Sequence, residues 1–421
     1  MPNRARNARQ RKKDRGSLCS IQGSRDLALR DILLVCPQER DLQAIRAAGL
    51  GVRYRVHCAG ADLDAIDLFD PEAFIEECDS IPADGVIGTK DRSALLASLI
   101  AERRGLPGPK PRALTACQFK PTARALLRAT VPAATPRFAL LDGRPPFEPP
   151  FFVKLVVGRL SQNARRIDDP ADIERLRDLD DYMSGYARIA SLAGLHPDAV
   201  HGFLAEELLT GDEVTLEGYV FDGKVTTIGV TDSVKYEGTN SFERFEYPSS
   251  LSEERLAELD EITARVLPAL GYDGGFFNVE FFVPEEGSAR IIEVNGRIAS
   301  QFWSLVHAVH GRSTYEALLT LACGDDPGWQ VGAPRGVAIS YCLRVFEDAY
   351  VAAVPEPGDD LELLVRPGLR LSQQGLNDAE SYRLCIFTCF GETRAEAVQR
   401  CRARARSLRF ELEPIRAGVP S

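Results

Sequence analysis

The sequence predicts a mixed α/β and α+β protein of two to three domains, with a small parallel α/β unit near the front. Three observations carry this. A chain of 421 residues, 44% hydrophobic with 34 Gly and 26 Pro, is longer than one core ordinarily supports. Apolar runs of strand length alternate with helical spacing to about residue 112. Beyond that point strands come in pairs across glycine turns, the pattern of antiparallel ladders.

Each element follows from its local pattern. Residues 31–36, "DILLVC", form a short apolar strand, and "DLQAIRAAGL" has helical spacing closed by Gly49. "DGVIGT" at 84–89 is a second strand, leading into the helix "RSALLASLIAERRG" and the stop "LPGPKP". No GxGxxG is present, so the usual dinucleotide fold is not supported. Next come the helix "PTARALLRATV", beginning with Pro121 at a first helical position, and the strands "PRFALL" and "FFVKLVV". Residues 203–232 read as strand, turn, strand, with Gly211 and "DGK" as turn signals. A helix ending at Gly271 precedes two strands, "GFFNVEFFV" and "ARIIEVN", around the turn "PEEGS". A single helix is expected over about 301–322. The last part, 335–415, starts with the strand "GVAISYCLRVF" and finishes with the helix "TRAEAVQRCRARARSL", where Thr393 and Glu396 suit a capping box. The expected division is a basic tail over 1–28, an α/β domain over 29–112, a two-part domain over 113–330 that divides near 202, and an α+β domain over 331–421.

Composition narrows the function classes. No run approaches the roughly 18 to 20 apolar residues of a membrane span, and the N-terminus lacks a signal-peptide core, so the expectation is a cytoplasmic protein with no membrane contact. Ten cysteines without a CxxC pair suit reduced core thiols; Cys385 and Cys389 share a strand face, which favours packing over metal. A net charge of −10 argues against nucleic acid as a partner. The first fifteen residues are basic and read as a disordered tail or an overlong gene start, with a docking arm as the other reading. Only eight of the 51 basic residues are lysine, which gives each internal lysine weight.

The chemistry concentrates in "ARIIEVNGRIASQFW", where Glu293, Asn295 and Arg297 recur at every second position of an apolar strand. Counting outward from the "PEEGS" turn sets Glu280 across from Glu293, and Asn278 across from Asn295. Directly opposed carboxylates repel, and Phe276, Phe282 and Ile291 are expected to share and desolvate their face. Two glutamates and an amide are oxygen ligands suited to a hard cation such as Mg²⁺; a solvated surface pair is the alternative. Lys154 lies inside "FFVKLVV", where a cation needs an anion such as phosphate, and the following "VVGRLSQNARRI" is a weak candidate phosphate loop. Lys120 precedes a helix start and is either a phosphate ligand or a surface lysine. In "AEELLTGDE", Glu206 and Glu207 end an apolar strand that could offer its backbone to a base, and Glu213 beyond the glycine turn could accept ribose hydroxyls.

In order and spacing, Lys120, Lys154, "AEELLTGDE", "NVEFF" and "IIEVNGR" resemble the ATP-grasp superfamily of carboxylate-amine ligases, over about residues 31–325 and more loosely 335–415. The resemblance implies an ATP-grasp fold that holds ATP between two α+β subdomains. It assigns Lys120 and Lys154 to phosphates and adenine, Glu206, Glu207 and Leu209 to the adenine-contacting segment, and Glu213 to ribose. Glu280, Glu293 and Asn295 become Mg²⁺ ligands, for two ions with Mn²⁺ as an alternative, and Arg297 holds the transferring phosphate or acyl phosphate, with Lys154 also catalytic. Two departures stand out: Gly296 replaces the proline common between Asn and Arg, which predicts a looser turn, and "GRLSQNA" lacks the several glycines of the superfamily's carboxylases.

The implied reaction joins a small-molecule carboxylate, such as an amino acid, to an amine through an acyl phosphate. No convincing Ser/His/Asp or Cys/His set competes with that scheme. Lys235, Arg344, Phe302 and Trp303 are candidates to border the acceptor pocket, with a core role the other reading for the two aromatics. His307 and His310, at helical spacing, read as helix surface or pocket lining. The C-terminal part is expected either to cover the site or to support a homodimer.

Overall fold

The computed structural model describes residues 29–61, 69–158, 164–176, 180–358, 360–374 and 381–415. The basic tail and most of "GRLSQNA" lie outside these residues.

The front part is a right-reading alternation of strands and helices: β1 (Arg30–Val35), α1 (Glu39–Ala47), β2 (Tyr54–Ala59), α2 (Pro71–Cys78), β3 (Gly85–Ile87) and α3 (Asp91–Arg104). The three strands are all parallel in the order β2-β1-β3. Ile32 to Val35 are fully buried, as a parallel strand covered on both faces requires. α3 starts where β3 ends, which brings Asp91 to the edge that faces the rest of the molecule.

The second part contains α4 (Pro111–Gln118), α5 (Lys120–Thr130), β4 (Phe138–Leu140), β5 (Phe151–Leu155), β6 (Arg165–Ile167), α6 (Asp180–Leu192) and β7 (Phe203–Glu207). Its sheet is antiparallel in the order β4-β7-β5-β6. The third part contains β8 (Asp212–Phe221), β9 (Lys224–Lys235), β10 (Phe242–Tyr247), α7 (Glu253–Ala269), β11 (Gly275–Val283), β12 (Arg290–Asn295), α8 (Trp303–His310) and α9 (Thr314–Ala322). The last adds β13 (Val337–Val345), β14 (Ala349–Ala353), β15 (Leu361–Leu363), β16 (Tyr382–Gly391), α10 (Arg394–Ser407) and β17 (Glu411–Pro414).

The C-terminal strands continue the sheet of the third part, giving eight strands in the order β12-β11-β8-β9-β10-β13-β16-β15. One face of its first strands is apolar: Leu216, Phe277, Val279 and Phe281 are buried in the main core. The period-two alternation puts Glu213, Thr215 and Glu217 of β8 on the other face, level with Phe282, Glu280 and Asn278 of β11. Among the described residues no helix is long and apolar enough to cross a membrane.

Three local expectations are corrected. The helix expected over 301–322 is two helices, because Gly311 takes a left-handed conformation at φ 70° and the Ser313 side chain caps the second. A bulge at Ile292 pairs Ile291 with Phe281 and turns it into the apolar core, away from the acid face. At α10, Thr393 accepts the Glu396 amide as expected, but the Glu396 carboxylate accepts the backbone N–H of Glu392 rather than that of Thr393.

Candidate active site

The hairpin of β11 and β12 has the register read from the sequence at its polar end: Glu280 opposes Glu293, and Asn278 opposes Asn295. Asn295 Nδ2 donates to Asn278 Oδ1 at 2.9 Å and to Glu280 Oε1 at 3.2 Å. Asn278 Nδ2 in turn donates to the carbonyl of Arg297 at 3.0 Å, tying the turn after β12 to β11. Burial, reinforced by the neighbouring Glu293 and Glu213 charges, pushes the Glu280 carboxyl well above the usual range. Among the described residues no three His, Cys, Asp or Glu side chains form a metal cluster, so the candidate metal set is two carboxylates completed by an amide. That set suits a hard cation: each of the three side chains carries an oxygen, and Glu280 is desolvated and makes no salt bridge within the described residues.

The cations come from the second part of the chain. Lys120, at the start of α5, reaches Glu293 Oε1 at 3.2 Å. Lys154 on β5 lies 2.8 Å from Glu206 Oε2 and donates to the carbonyl of Ile292 at 3.0 Å. Arg124, which sequence reasoning missed, repeats both contacts, at 2.5 Å to Glu206 Oε1 and 2.6 Å to the same carbonyl. The bulge residue of β12 thus anchors two cations through its backbone. Burial opposes the charge on Glu206, yet Arg124 and Lys154 outweigh it and hold the carboxyl down at about 2. Lys154 is drawn down to about 8, because its burial exceeds the pull of a carboxylate it shares with Arg124.

The other expected nucleotide residues are placed as follows. Glu207 is engaged by Arg290 and, at 3.2 Å, by Arg137. Leu209 is half-buried just after β7. Glu213 pairs with Lys235 at 3.0 Å, and burial still raises its carboxyl. Lys235 also lies over the rings of Phe242 and Phe282. Its charge therefore serves the proposed ribose acid first, where the sequence reading had set it at the acceptor pocket.

Arg297 projects toward the front part of the chain and pairs with Asp91 at 2.7 Å, Nε to Oδ1. The Asp91 carbonyl accepts Gln118 Nε2 at 2.9 Å, and Gln118 Oε1 accepts the Tyr186 hydroxyl at 2.9 Å. Asp91, Gln118 and Tyr186 line one cleft with Gly158, Glu293 and Asn295. No sequence spacing foretells these contacts, since they join four separate helices and strands. Glu217 was also missed, although its alternation with Glu213 and Thr215 was a usable signal. Its Oε1 accepts the Ala299 N–H at 2.8 Å, and burial raises its carboxyl to about 8.

Some expected pocket residues lie elsewhere. Phe302 is 1% exposed and packs in the core, its ring 5.1 Å from that of Phe245, so it offers no open pocket wall. Trp303 is half-buried against His307 at 6.0 Å between rings. Arg344 is buried as a strut, donating to the Phe242 carbonyl at 2.9 Å and to Ser381 Oγ at 2.8 Å. Both Phe302 and Arg344 are occupied by packing and backbone anchoring rather than turned to the cleft. Gly296 leaves no room for a side chain at its turn: a Cβ there would lie 2.5 Å from Leu114 Cδ2 and 2.8 Å from Tyr272 Cε2.

Residues 147–304 match the family model of the ATP-grasp domain. A comparison with curated proteins finds no match. Among solved structures, the chain is similar to an L-amino acid ligase from Bacillus licheniformis, with a TM-score of 0.73 and 19% identity over 91% of this chain and 98% of that one. It also resembles a phosphoribosylglycinamide synthetase from Anaerococcus prevotii, at TM-score 0.64 and 14% identity over 91% of this chain and all of that one. The biotin carboxylase domain of 2-oxoglutarate carboxylase from Hydrogenobacter thermophilus, solved with MgADP, ADP and bicarbonate, is similar at TM-score 0.65 and 14% identity, over 92% of each chain. Residues 147–304 thus match an ATP-grasp domain, and the chain shares its fold with these solved structures.

Proposed function

We propose that this protein is an ATP-dependent carboxylate-amine ligase acting on amino acids or another small acid, forming an amide through an acyl phosphate. The observation that carries the reading is the meeting of acids and cations at one hairpin: Glu280 opposes Glu293, Lys120 pairs with Glu293, Lys154 holds the Ile292 carbonyl, and Arg297 follows Asn295 by two residues.

A carboxylate is a poor acyl donor because an attacking amine would have to expel oxide. Attack of the substrate carboxylate on the γ-phosphate of ATP gives an acyl phosphate and ADP, and the amine then displaces phosphate. In this reading Glu280, Glu293 and Asn295 would hold one or two Mg²⁺ ions, whose chemistry is to neutralise charge on the phosphoryl oxygens. Lys120 from the start of α5 and Lys154 from β5 stabilise the same developing charge. Arg297 binds the acid and then its acyl phosphate. The strand end at Glu206, Glu207 and Leu209 offers backbone groups to the base, and Glu213 accepts the ribose hydroxyls. The division into a front α/β domain, a two-part nucleotide-binding domain and a C-terminal α+β domain belongs to the same proposal. So does a cytoplasmic location.

The test is incubation with Mg·ATP, small carboxylic acids and hydroxylamine, followed by mass spectrometry. An ATP-dependent hydroxamate with stoichiometric ADP is expected. ADP formation that requires bicarbonate, or a phosphorylated product without a hydroxamate, would replace the ligase with a carboxylase or a phosphotransferase on the same fold.

A further inference from the structure

The cations of the site divide unevenly among its carboxylates. Glu206 has both Lys154 and Arg124, Glu293 has Lys120, and Glu213 has Lys235. Asp91 pairs with Arg297, the residue to which the ligase reading gives the substrate carboxylate. When Arg297 turns its charge to an incoming acid, Asp91 loses its neutralising partner beside Glu293 in a cleft of limited solvent access. A part-buried carboxylate left that way is costly unless the ligand supplies a positive charge.

An α-amino acid supplies it in the right place. Its carboxylate and ammonium groups are separated by a single carbon, and Arg297 Nε and Asp91 Oδ1 are themselves only 2.7 Å apart. A neighbouring cation and anion are complementary to a zwitterion, each swapping its protein partner for a substrate charge. Both side chains keep some solvent access, at 23% exposure for Arg297 and 16% for Asp91, and Asp91 lines the cleft. The geometry of Asp91 is also fixed in advance. Its backbone carbonyl is held by Gln118, which Tyr186 holds in turn, and Asp91 occupies the first turn of α3. Preorganisation of this kind favours binding over mere surface pairing.

We propose that Asp91 is the ammonium-binding residue of the acyl-donor site, so that the acid activated is a zwitterionic α-amino acid held by Arg297 at its carboxylate and by Asp91 at its amino group. This rests on the ligase reading and sharpens it, because it excludes simple carboxylic acids and N-acylated amino acids as efficient donors.

The experiment is the hydroxamate assay on the full chain. The twenty proteinogenic amino acids are each compared with the matching des-amino acid, for example propionate for alanine and 3-phenylpropionate for phenylalanine. Wild type is expected to prefer the best amino acid over its des-amino partner by about a hundredfold or more in kcat/KM. Asp91→Asn should lower kcat/KM far more for the amino acid than for its des-amino partner, so that most of that ratio is lost. Wild-type activity that is equal on both acids would overturn the proposal and leave the ligase intact, and it needs no variant to fold. A variant that loses activity on both acids in the same proportion would make Asp91 a positioning residue for Arg297, which also overturns it. No hydroxamate from any acid would remove the ligase reading and the proposal together.

Discussion

Glu280 on β11 stands directly across the ladder from Glu293 on β12, and among the described residues only Lys120 forms a salt bridge with either carboxylate. A like-charged pair on a desolvated sheet face weakens the fold unless something positive fills the gap. The pair is therefore a statement about function more than about stability.

Glu280→Gln tests that statement by replacing the ionisable carboxyl with a neutral amide of similar shape. Thermal unfolding of the ligand-free protein should be unchanged or shifted upward, because burial already opposes ionisation of this carboxyl and it has no ion-pair partner among the described residues. Stabilisation by Mg·ADP, about 2.7 kcal/mol for wild type at a hundredfold excess over Kd, should largely disappear, and so should Mg²⁺-dependent turnover. An unaltered Mg·ADP shift in calorimetry would sink the metal-ligand assignment.

Glu206 is the opposite case, a carboxylate with two cations and almost no solvent. Replacing it with alanine leaves Arg124 and Lys154 buried beside each other, and the expected loss is about 3 to 5 kcal/mol in chemical denaturation. Its folded carboxyl lies near 2, below the ordinary value of 4.5, so the unfolded chain binds the proton more readily over that window. Stability from this group is complete above about pH 4.5 and drains away as pH falls toward 2. Urea titrations between these pH values should show the slope in wild type and lose it in a Glu206→Gln variant that still folds.

Glu217 slopes the other way. Its folded carboxyl is raised from 4.5 to about 8, so the folded chain holds the extra proton between those values. Stability from this group is greatest at the acid end and declines as pH climbs to about 8. Glu217→Gln keeps an oxygen for the Ala299 N–H and removes the titration. The variant should match wild type near pH 4.5 and exceed it near pH 8.5, by up to about 4 to 5 kcal/mol. Equal stability of the two proteins at both pH values would show that the buried carboxyl is not raised.

How much of this could be read from the sequence depends on how local each contact is. The pairing of Glu280 with Glu293 follows from a five-residue turn and the alternation of a strand, both short-range, and it was legible. The bulge at Ile292 was not, because an extra residue leaves the composition of a strand untouched. It reversed Ile291 and freed a carbonyl for Lys154 and Arg124. Asp91 was invisible for a different reason: its partner is 206 positions away, and no periodicity connects a helix start to a strand end at that distance. Phe302 and Trp303 show the converse limit. Neighbours in sequence at the foot of a helix, they have different surroundings, one in the core and one half-buried, and only the three-dimensional packing separates them.

Gly296 lies between a proposed metal ligand and the arginine that meets Asp91, and its backbone runs hard against two side chains. Leu114 Cδ2 is the tip of a mobile chain, but Tyr272 is pinned by its hydroxyl, which donates to the Phe276 carbonyl at 2.6 Å. A methyl group added at this position must therefore push the strand end outward. Gly296→Ala is expected to cost about 1 to 3 kcal/mol in thermal or chemical unfolding, the usual range for overpacking a core. The displacement should also move Arg297 off Asp91, so kcat should fall more than the lost stability explains at temperatures where the variant is fully folded. A second substitution, Leu114→Ala, opens space on one side of the same contact. If steric pressure is the cause, the double variant should recover part of the activity lost by Gly296→Ala. Additive losses would mean instead that Tyr272, and not Leu114, sets the steric limit at this position.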